Sequence, residues 1–254
     1  MRFDRRGGAV FPLRDNNPTR ARPLFTLALI AVNLAVFFLW QPQAFWLPSP
    51  DHGEVEQQAF LYEHAAVPCE IVHGQSLDAR ELRTGECSDS PWTPALPEKY
   101  VYAAVLVSLF LHGGLLHIAS NMWFLWIFGN NMEEAFGRLR YLGFYLLGGV
   151  VATLSFVLLQ ADQTVPLIGA SGAIAAVLGG YLALFPTRLI VGLVGIWPVP
   201  VPAALFLGLW FFGQFATQEE SIAWQAHAAG FLFGFAVTLS MRASLLARLR
   251  RLHI

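Results

Sequence analysis

The chain has 254 residues, of which 56% are hydrophobic, 14% aromatic and only 13% charged, with a mean hydropathy of +0.51. A water-soluble domain carries roughly a quarter charged residues, so this composition excludes a disordered chain, a basic nucleic-acid-binding domain and an ordinary cytosolic enzyme. It predicts an integral membrane protein whose formal net charge of −1 conceals a segregation of charge along the chain.

Arg2, Arg5, Arg6, Arg14, Arg20 and Arg22 precede the first apolar run, 24–40, which is uncharged and at the short end for a spanning helix. No small-x-small cleavage pattern follows it, so it is expected to be an uncleaved anchor. Further runs at 115–132, 141–160 and 165–185 predict a second, third and fourth span. In 189–215, the alternating Pro198, Pro200 and Pro202 are incompatible with a regular helix. Residues 189–200 are therefore expected to form a hydrophobic loop near the interface, and 201–215 the fifth span. The sixth span is 222–241, and 100–111 reads as a surface helix leading into the second, although its apolar character leaves a seventh span open. Six spans put both termini on one side. With that side cytoplasmic, 13 of the 16 basic residues lie inside, while Asp162, Glu219, Glu220 and the acidic 41–99 segment lie outside.

Residues 1–23 and 242–254 are expected to be basic cytoplasmic tails flanking a membrane domain over 24–241. The 41–99 segment holds ten of the acids and the only two cysteines, Cys69 and Cys87. On an oxidising outer face a disulfide is expected, two free thiols being the alternative; closing such a loop stabilises by about 3 kcal/mol in the chain-entropy model.

Polar groups inside spans are costly and therefore informative. The second span opens on His112-Gly-Gly-Leu-Leu-His117-Ile-Ala-Ser-Asn121, with His117 and Asn121 four apart on one helix face. The fourth opens on Gly169-Ala170-Ser171-Gly172, and the sixth on Trp224-Gln225-Ala226-His227-Ala228-Ala229-Gly230, with Gly234 beyond. All three clusters fall near the outer helix ends, which predicts one shared, water-reachable cavity. Serine is a poor nucleophile unless a base takes its proton, and His227 is an available base. His117, Asn121 and helix-start N–H groups are donors suited to a developing oxyanion. Gly230 and Gly234 share a face with His227, and Gly172, Ala176 and Gly180 form a matching small stripe, letting the helices approach closely. Taken singly, each feature also reads as packing or interhelical glue. A metal held by His112, His117 and His227 lacks a carboxylate partner and the H-E-x-x-H pattern, so none is expected. Glu133 and Glu134 are expected to pair with Arg138 or Arg140, and His52, His64, His73 and His253 to be solvated.

The three motifs, in this order and on these spans, resemble those of the rhomboid intramembrane serine proteases, over about residues 24–241. The resemblance implies a six-helix all-α membrane bundle with a Ser171–His227 dyad and no aspartate. His117 and Asn121, with the Ser171 N–H, would form the oxyanion hole. His112 and the 129–137 stretch Gly-Asn-Asn-Met-Glu-Glu-Ala-Phe-Gly would be structural. It also implies transmembrane helices of other proteins as substrates, cut near their outer ends, and no cofactor; the partners are those proteins and the lipid bilayer, with no nucleic acid and no metal. Two positions depart from the family pattern: Ala175 stands where many members have an aromatic packed on the histidine, and Ile222 where a glycine is frequent. An inactive, helix-binding relative is the alternative reading, against which the joint presence of Ser171, His227, His117 and Asn121 argues; a transporter would call for internal repeats or paired charges, neither of which occurs. Arginine-over-lysine usage and alanine richness point to a bacterial cell membrane.

Overall fold

The computed structural model describes residues 11–46, 53–88, 93–194, 197–216 and 223–253. It is mostly helical. α1 (Leu24–Ala35) continues as a π-helical turn to Trp40. α2 (Gly53–His64), α3 (Pro68–His73) and α4 (Ala79–Thr84) lie in the acidic segment, and α5 (Val101–Val107) runs through a 3-10 turn towards α6 (Leu115–Phe136). α7 (Arg138–Leu159), α8 (Ser171–Leu184), α9 (Ala203–Gly213) and α10 (Trp224–Leu252) complete the bundle. By length and composition α7 and α10 can each cross a membrane, and α5 with α6, bent by 77° at their junction, adds a third if the pair is one span. α1, α8 and α9 are apolar but shorter.

Three parts of the chain differ from expectation. The 189–200 stretch is a β-hairpin rather than a loop: β2 (Leu189–Val194) and β3 (Trp197–Pro202) pair antiparallel. Its other neighbour is β1 (Phe11–Asp15), giving the order β1-β2-β3 with β3 at one edge. Proline cannot donate, so the bonded pairs of the hairpin are those of Val199 and Val201, and the three prolines turn towards the free edge. The first tail is therefore partly structured, with the Trp123 indole donating to the Pro12 carbonyl at 2.7 Å and Asp15 accepting from Asn131 at 2.6 Å and Tyr181 at 3.0 Å. The expected second tail, 242–254, is mostly helical, because α10 runs unbroken to Leu252; Arg, Ala and Leu are all good helix formers.

Glu133 and Glu134 do not pair with Arg138 or Arg140. Pro23 precedes α1 without offering a side-chain cap, and Glu133, from the far end of α6, takes that role. It accepts from the Phe25 N–H at 3.0 Å and from the Thr26 N–H and hydroxyl at 2.7 and 2.8 Å. Glu134 accepts from the Arg20 and Ala21 N–H groups at 2.7 and 2.8 Å. Its second oxygen meets His253 at 3.0 Å, so that histidine, exposed as expected, also has a partner. A carboxylate at a helix N-terminus satisfies orphan donors and opposes the helix dipole.

In the acidic segment, Cys69 and Cys87 are joined by a disulfide. His73, exposed as expected, lies against it with its Nδ1 2.8 Å from the Cys69 carbonyl, whereas His64 is half-buried on Trp40 and Phe60. His52 lies outside the described residues. Glu70 and Lys99 form a buried ion pair that ties α3 to the start of α5.

The closest packing is between α8 and α10. A Cβ on Gly230 would stand 2.3 Å from the Gly172 carbonyl oxygen, and one on Gly234 1.9 Å from that of Ala176. A Cβ on Gly179 would stand 2.0 Å from the carbonyl oxygen of Phe231. The expected stripe is thus present, except that Gly180 faces Met132 and Thr238 and Gly179 makes the third backbone contact.

Two measurements test this architecture. Gly234→Val must push α10 off the Ala176 carbonyl, and overpacking of this kind costs about 1–3 kcal/mol or more; a clear fall in apparent Tm is expected, whereas Gly143→Ala, where nothing lies within 4 Å, should not lower Tm. Equal Tm values would refute the contact. Burial pushes the Asp15 carboxyl up to about 6 from 3.8, against the opposing hydrogen bonds of Tyr181 and Asn131. A folded pKa above the unfolded one means that the docked strand binds more protons, so its docking weakens as pH rises through that window. Hydrogen-exchange protection of β1 should fall between about pH 4 and about pH 6, and Asp15→Asn should abolish the dependence.

Candidate active site

α6, α8 and α10 each bring one motif to the same end of the bundle, opposite Glu133 and Asp15. Ser171 is the first residue of α8, and His227 lies in the first turn of α10. With the two helices in backbone contact just below them, the Ser171 Oγ stands 2.8 Å from the His227 Nε2. Both side chains are half-buried.

Gly169 precedes them at φ +118°, a conformation that favours glycine. A Cβ there would stand 2.8 Å from the His117 Nε2 and 3.6 Å from the Ser171 Oγ, so the imidazole and the hydroxyl flank one point of the backbone. The Gly169 N–H donates to the Ser108 carbonyl at 2.9 Å, fixing the loop to the turn that ends α5.

The tautomers follow from neighbours that can play only one part. The Gly113 N–H donates to the His117 Nδ1 at 3.2 Å, so neutral His117 carries its proton on Nε2, on the side of Gly169 and Ser171. His227 has the opposite arrangement. Its Nδ1 lies 2.7 Å from the Gln214 Oε1, an acceptor, leaving Nε2 bare to accept from the serine hydroxyl. One imidazole is thus set to donate and the other to accept.

Asn121, one turn along α6 from His117, is buried and its Nδ2 has no hydrogen-bond partner. An unpaired buried donor is costly, and an acceptor arriving from outside would relieve that cost. His112 is fully buried; its backbone N–H and carbonyl are clamped by the Gln41 side chain, both bonds at 2.9 Å, and its ring lies 5.1 Å from that of His117.

Ser171, His227, His117 and Gly169 therefore converge, with His112 against His117 and Asn121 one turn along α6, and two residues not singled out in the sequence are found beside them. Gln214 follows α9 in a 3-10 turn. Trp210, on α9, places its ring 6.2 Å from the imidazole of His227. Ala175, fully buried, leaves the expected aromatic position empty, and α9 supplies an aromatic ring to His227 instead. A polar residue ending an apolar run was visible at 214, but its distance from His227 in space was not. Ile222, and 217–221 of the connection to α10, lie outside the described residues. Elsewhere among the described residues, Cys69, His73 and Cys87 bring possible metal-ligand atoms within 4.8 Å of one another, but both sulfurs are engaged in the disulfide.

Comparison with known proteins agrees with this architecture. Residues 99–244 match the model of the rhomboid domain. The presenilin-associated rhomboid-like protein, mitochondrial, of Bos taurus is 36% identical over 90 residues, 35% of this chain and 24% of the relative. Rhomboid protein 1, mitochondrial, of Saccharomyces cerevisiae is 25% identical over 214 residues, 82% of this chain and 50% of the relative. RHOMBOID-like protein 5 of Arabidopsis thaliana is 35% identical over 75 residues, 30% of this chain and 24% of the relative. The chain thus spans between a quarter and a half of the length of these relatives. They are eukaryotic, two of them mitochondrial by name, and lend no support to a bacterial cell membrane. A matched domain over more than half of the sequence, read with three motifs converging at one end of a helical bundle, makes this membrane protein a member of the rhomboid family.

Proposed function

We propose that this protein is an intramembrane serine endopeptidase that hydrolyses peptide bonds in or near transmembrane helices of other membrane proteins. The observation that carries the reading is the 2.8 Å contact between the Ser171 Oγ and a His227 Nε2 left free to accept. In this mechanism the Ser171 Oγ attacks the scissile carbonyl carbon while the His227 Nε2 takes the hydroxyl proton. The oxyanion receives hydrogen bonds from the Asn121 Nδ2, the His117 Nε2–H and the Ser171 N–H. Collapse of the tetrahedral intermediate breaks the C–N bond as His227 protonates the leaving amine. Water, deprotonated by the same imidazole, then hydrolyses the serine ester. No cofactor enters any step.

The reading includes six spans over 24–241, both termini cytoplasmic, and the disulfide-bonded 41–99 segment on the outer face. α1, α6, α7, α8, α9 and α10 are the six, with α5 as the outer-surface helix leading into α6 and the short α8 and α9 reaching only part of the way across. The arginine asymmetry supports that orientation. A substrate helix hides its carbonyls in its own hydrogen bonds and must unwind before attack, so helix-weakening residues beside the cut favour cleavage. α9 and the 214–221 connection are proposed as the lateral gate.

A fluorescent fluorophosphonate should label the detergent-solubilised protein, and neither Ser171→Ala nor His227→Ala. Asn121→Ala should lower kcat about 100-fold with little change in KM. A folded wild-type protein that takes no label would overturn the peptidase reading in favour of helix binding without chemistry. Cross-linking α9 to α6 should stop cleavage of a transmembrane substrate, and undiminished cleavage would exclude the gate.

A further inference from the structure

We infer that Gln214 is a positioning residue that sets the tautomer of His227 from the proposed gate helix; the inference rests on the peptidase reading. Three groups in series fix the protons. A backbone carbonyl only accepts, so the corner of the Gln214 amide that stands 3.2 Å from the Trp210 carbonyl is the NH2 group. The other corner is then the oxygen, and it faces the His227 Nδ1 at 2.7 Å. An oxygen there requires a proton on Nδ1, which leaves the lone pair of Nε2 directed at the Ser171 hydroxyl at 2.8 Å. The flip of the amide is thus decided by the main chain of α9. The carbonyl is available because the last carbonyls of a helix lack intrahelical donors, and the chain at 214–216 tightens into a 3-10 turn.

The arrangement performs the orienting part of an acidic third residue without its charge. Gln214 holds the imidazole by one edge while Trp210, one turn earlier on the same helix, lies beside its ring at 6.2 Å. Both supports come from α9, and neither comes from α8, where Ala175 offers only a methyl group. His227 is therefore oriented only while the end of α9 stays docked, so that one helix governs both entry and the readiness of the base. A neutral amide has a second consequence. It stabilises the imidazolium formed during attack less than a carboxylate would, which places the acid limb of the pH profile lower than a charged partner would place it.

The test uses the full-length protein in detergent, with fluorophosphonate labelling rates and cleavage of a transmembrane substrate across pH, beside Gln214→Met and Gln214→Glu. Gln214→Met keeps the length of the side chain but removes the acceptor. Labelling and kcat should fall about 10- to 100-fold, with KM little changed. Gln214→Glu restores an acceptor, so activity should recover and the acid limb should move to higher pH. Nitrogen chemical shifts of labelled histidine should give a single Nδ1-protonated form of His227 in the wild type and a mixture in Gln214→Met. A wild type that takes no label would sink the peptidase reading itself. A wild type that labels, with both variants sharing its rate, pH limb and tautomer, would instead overturn the role of Gln214 alone. Equal losses in Met and Glu without a pH shift would reduce it to packing of the gate helix.

Discussion

Backbone contact between two helices decides whether a serine and a histidine can meet. α8 and α10 touch through Gly172 and Gly230, Ala176 and Gly234, and Gly179 and Phe231, at distances that admit no Cβ. Ordinary helix pairs stand about 8–10 Å apart, and a single methyl group at Gly179, Gly230 or Gly234 would separate them by more than a hydrogen bond tolerates. Lipid tails are as apolar as leucine, so there is no hydrophobic drive to hold the helices together. Close packing provides the attraction instead. The same glycines therefore serve cohesion and the geometry of the Ser171–His227 contact.

The opposite end of the bundle relies on charge and backbone polarity. Glu133 and Glu134, both buried, gather four backbone N–H groups of the segment entering α1, the hydroxyl of Thr26 and the ring of His253. Two acids adjacent in sequence thereby join the start of the first helix to the end of the last. Removing Glu133 would orphan three donors in a region that water does not reach freely, each costing about 1–3 kcal/mol. The apolar middle of the bundle is bounded by two polar clusters: one end anchors, and the other gathers Ser171, His227 and His117.

The helices and the convergent motifs were legible in the sequence because hydropathy marks the runs and helical spacing marks which polar groups share a face. The hairpin was not. Alternating prolines at 198, 200 and 202 excluded a helix, but nothing in the apolar residues around them distinguished a loop from two strands, and the pairing partner lies at Phe11–Asp15, far away in the chain. The partners of Glu133 were missed for a similar reason. Arg138 and Arg140 are near in sequence, yet Gly137, at φ +79°, breaks the helix before them, and backbone donors more than 100 residues away take the carboxylate. Gln214 was visible only as a polar residue at the end of an apolar run. Its role depends on a carbonyl one turn earlier and on an imidazole in another helix, neither of which leaves a pattern in a single sequence.

The free edge of β3 has a consequence for the surrounding bilayer. With Val199 and Val201 bonded to β2, the carbonyls of Pro198 and Pro200 point away from the sheet in a row that no strand among the described residues covers. Hydrocarbon cannot satisfy such a row, so headgroups or water must reach it. β3 runs directly into α9, whose 11 residues extend about 16 Å, roughly half of a hydrocarbon core about 30 Å thick. With α9 as the proposed fifth span, lipid beside this flank would dip to meet the protein. A foreign helix of ordinary length drifting into that dip would find one end pushed into a polar layer, where solvent competes for its backbone hydrogen bonds.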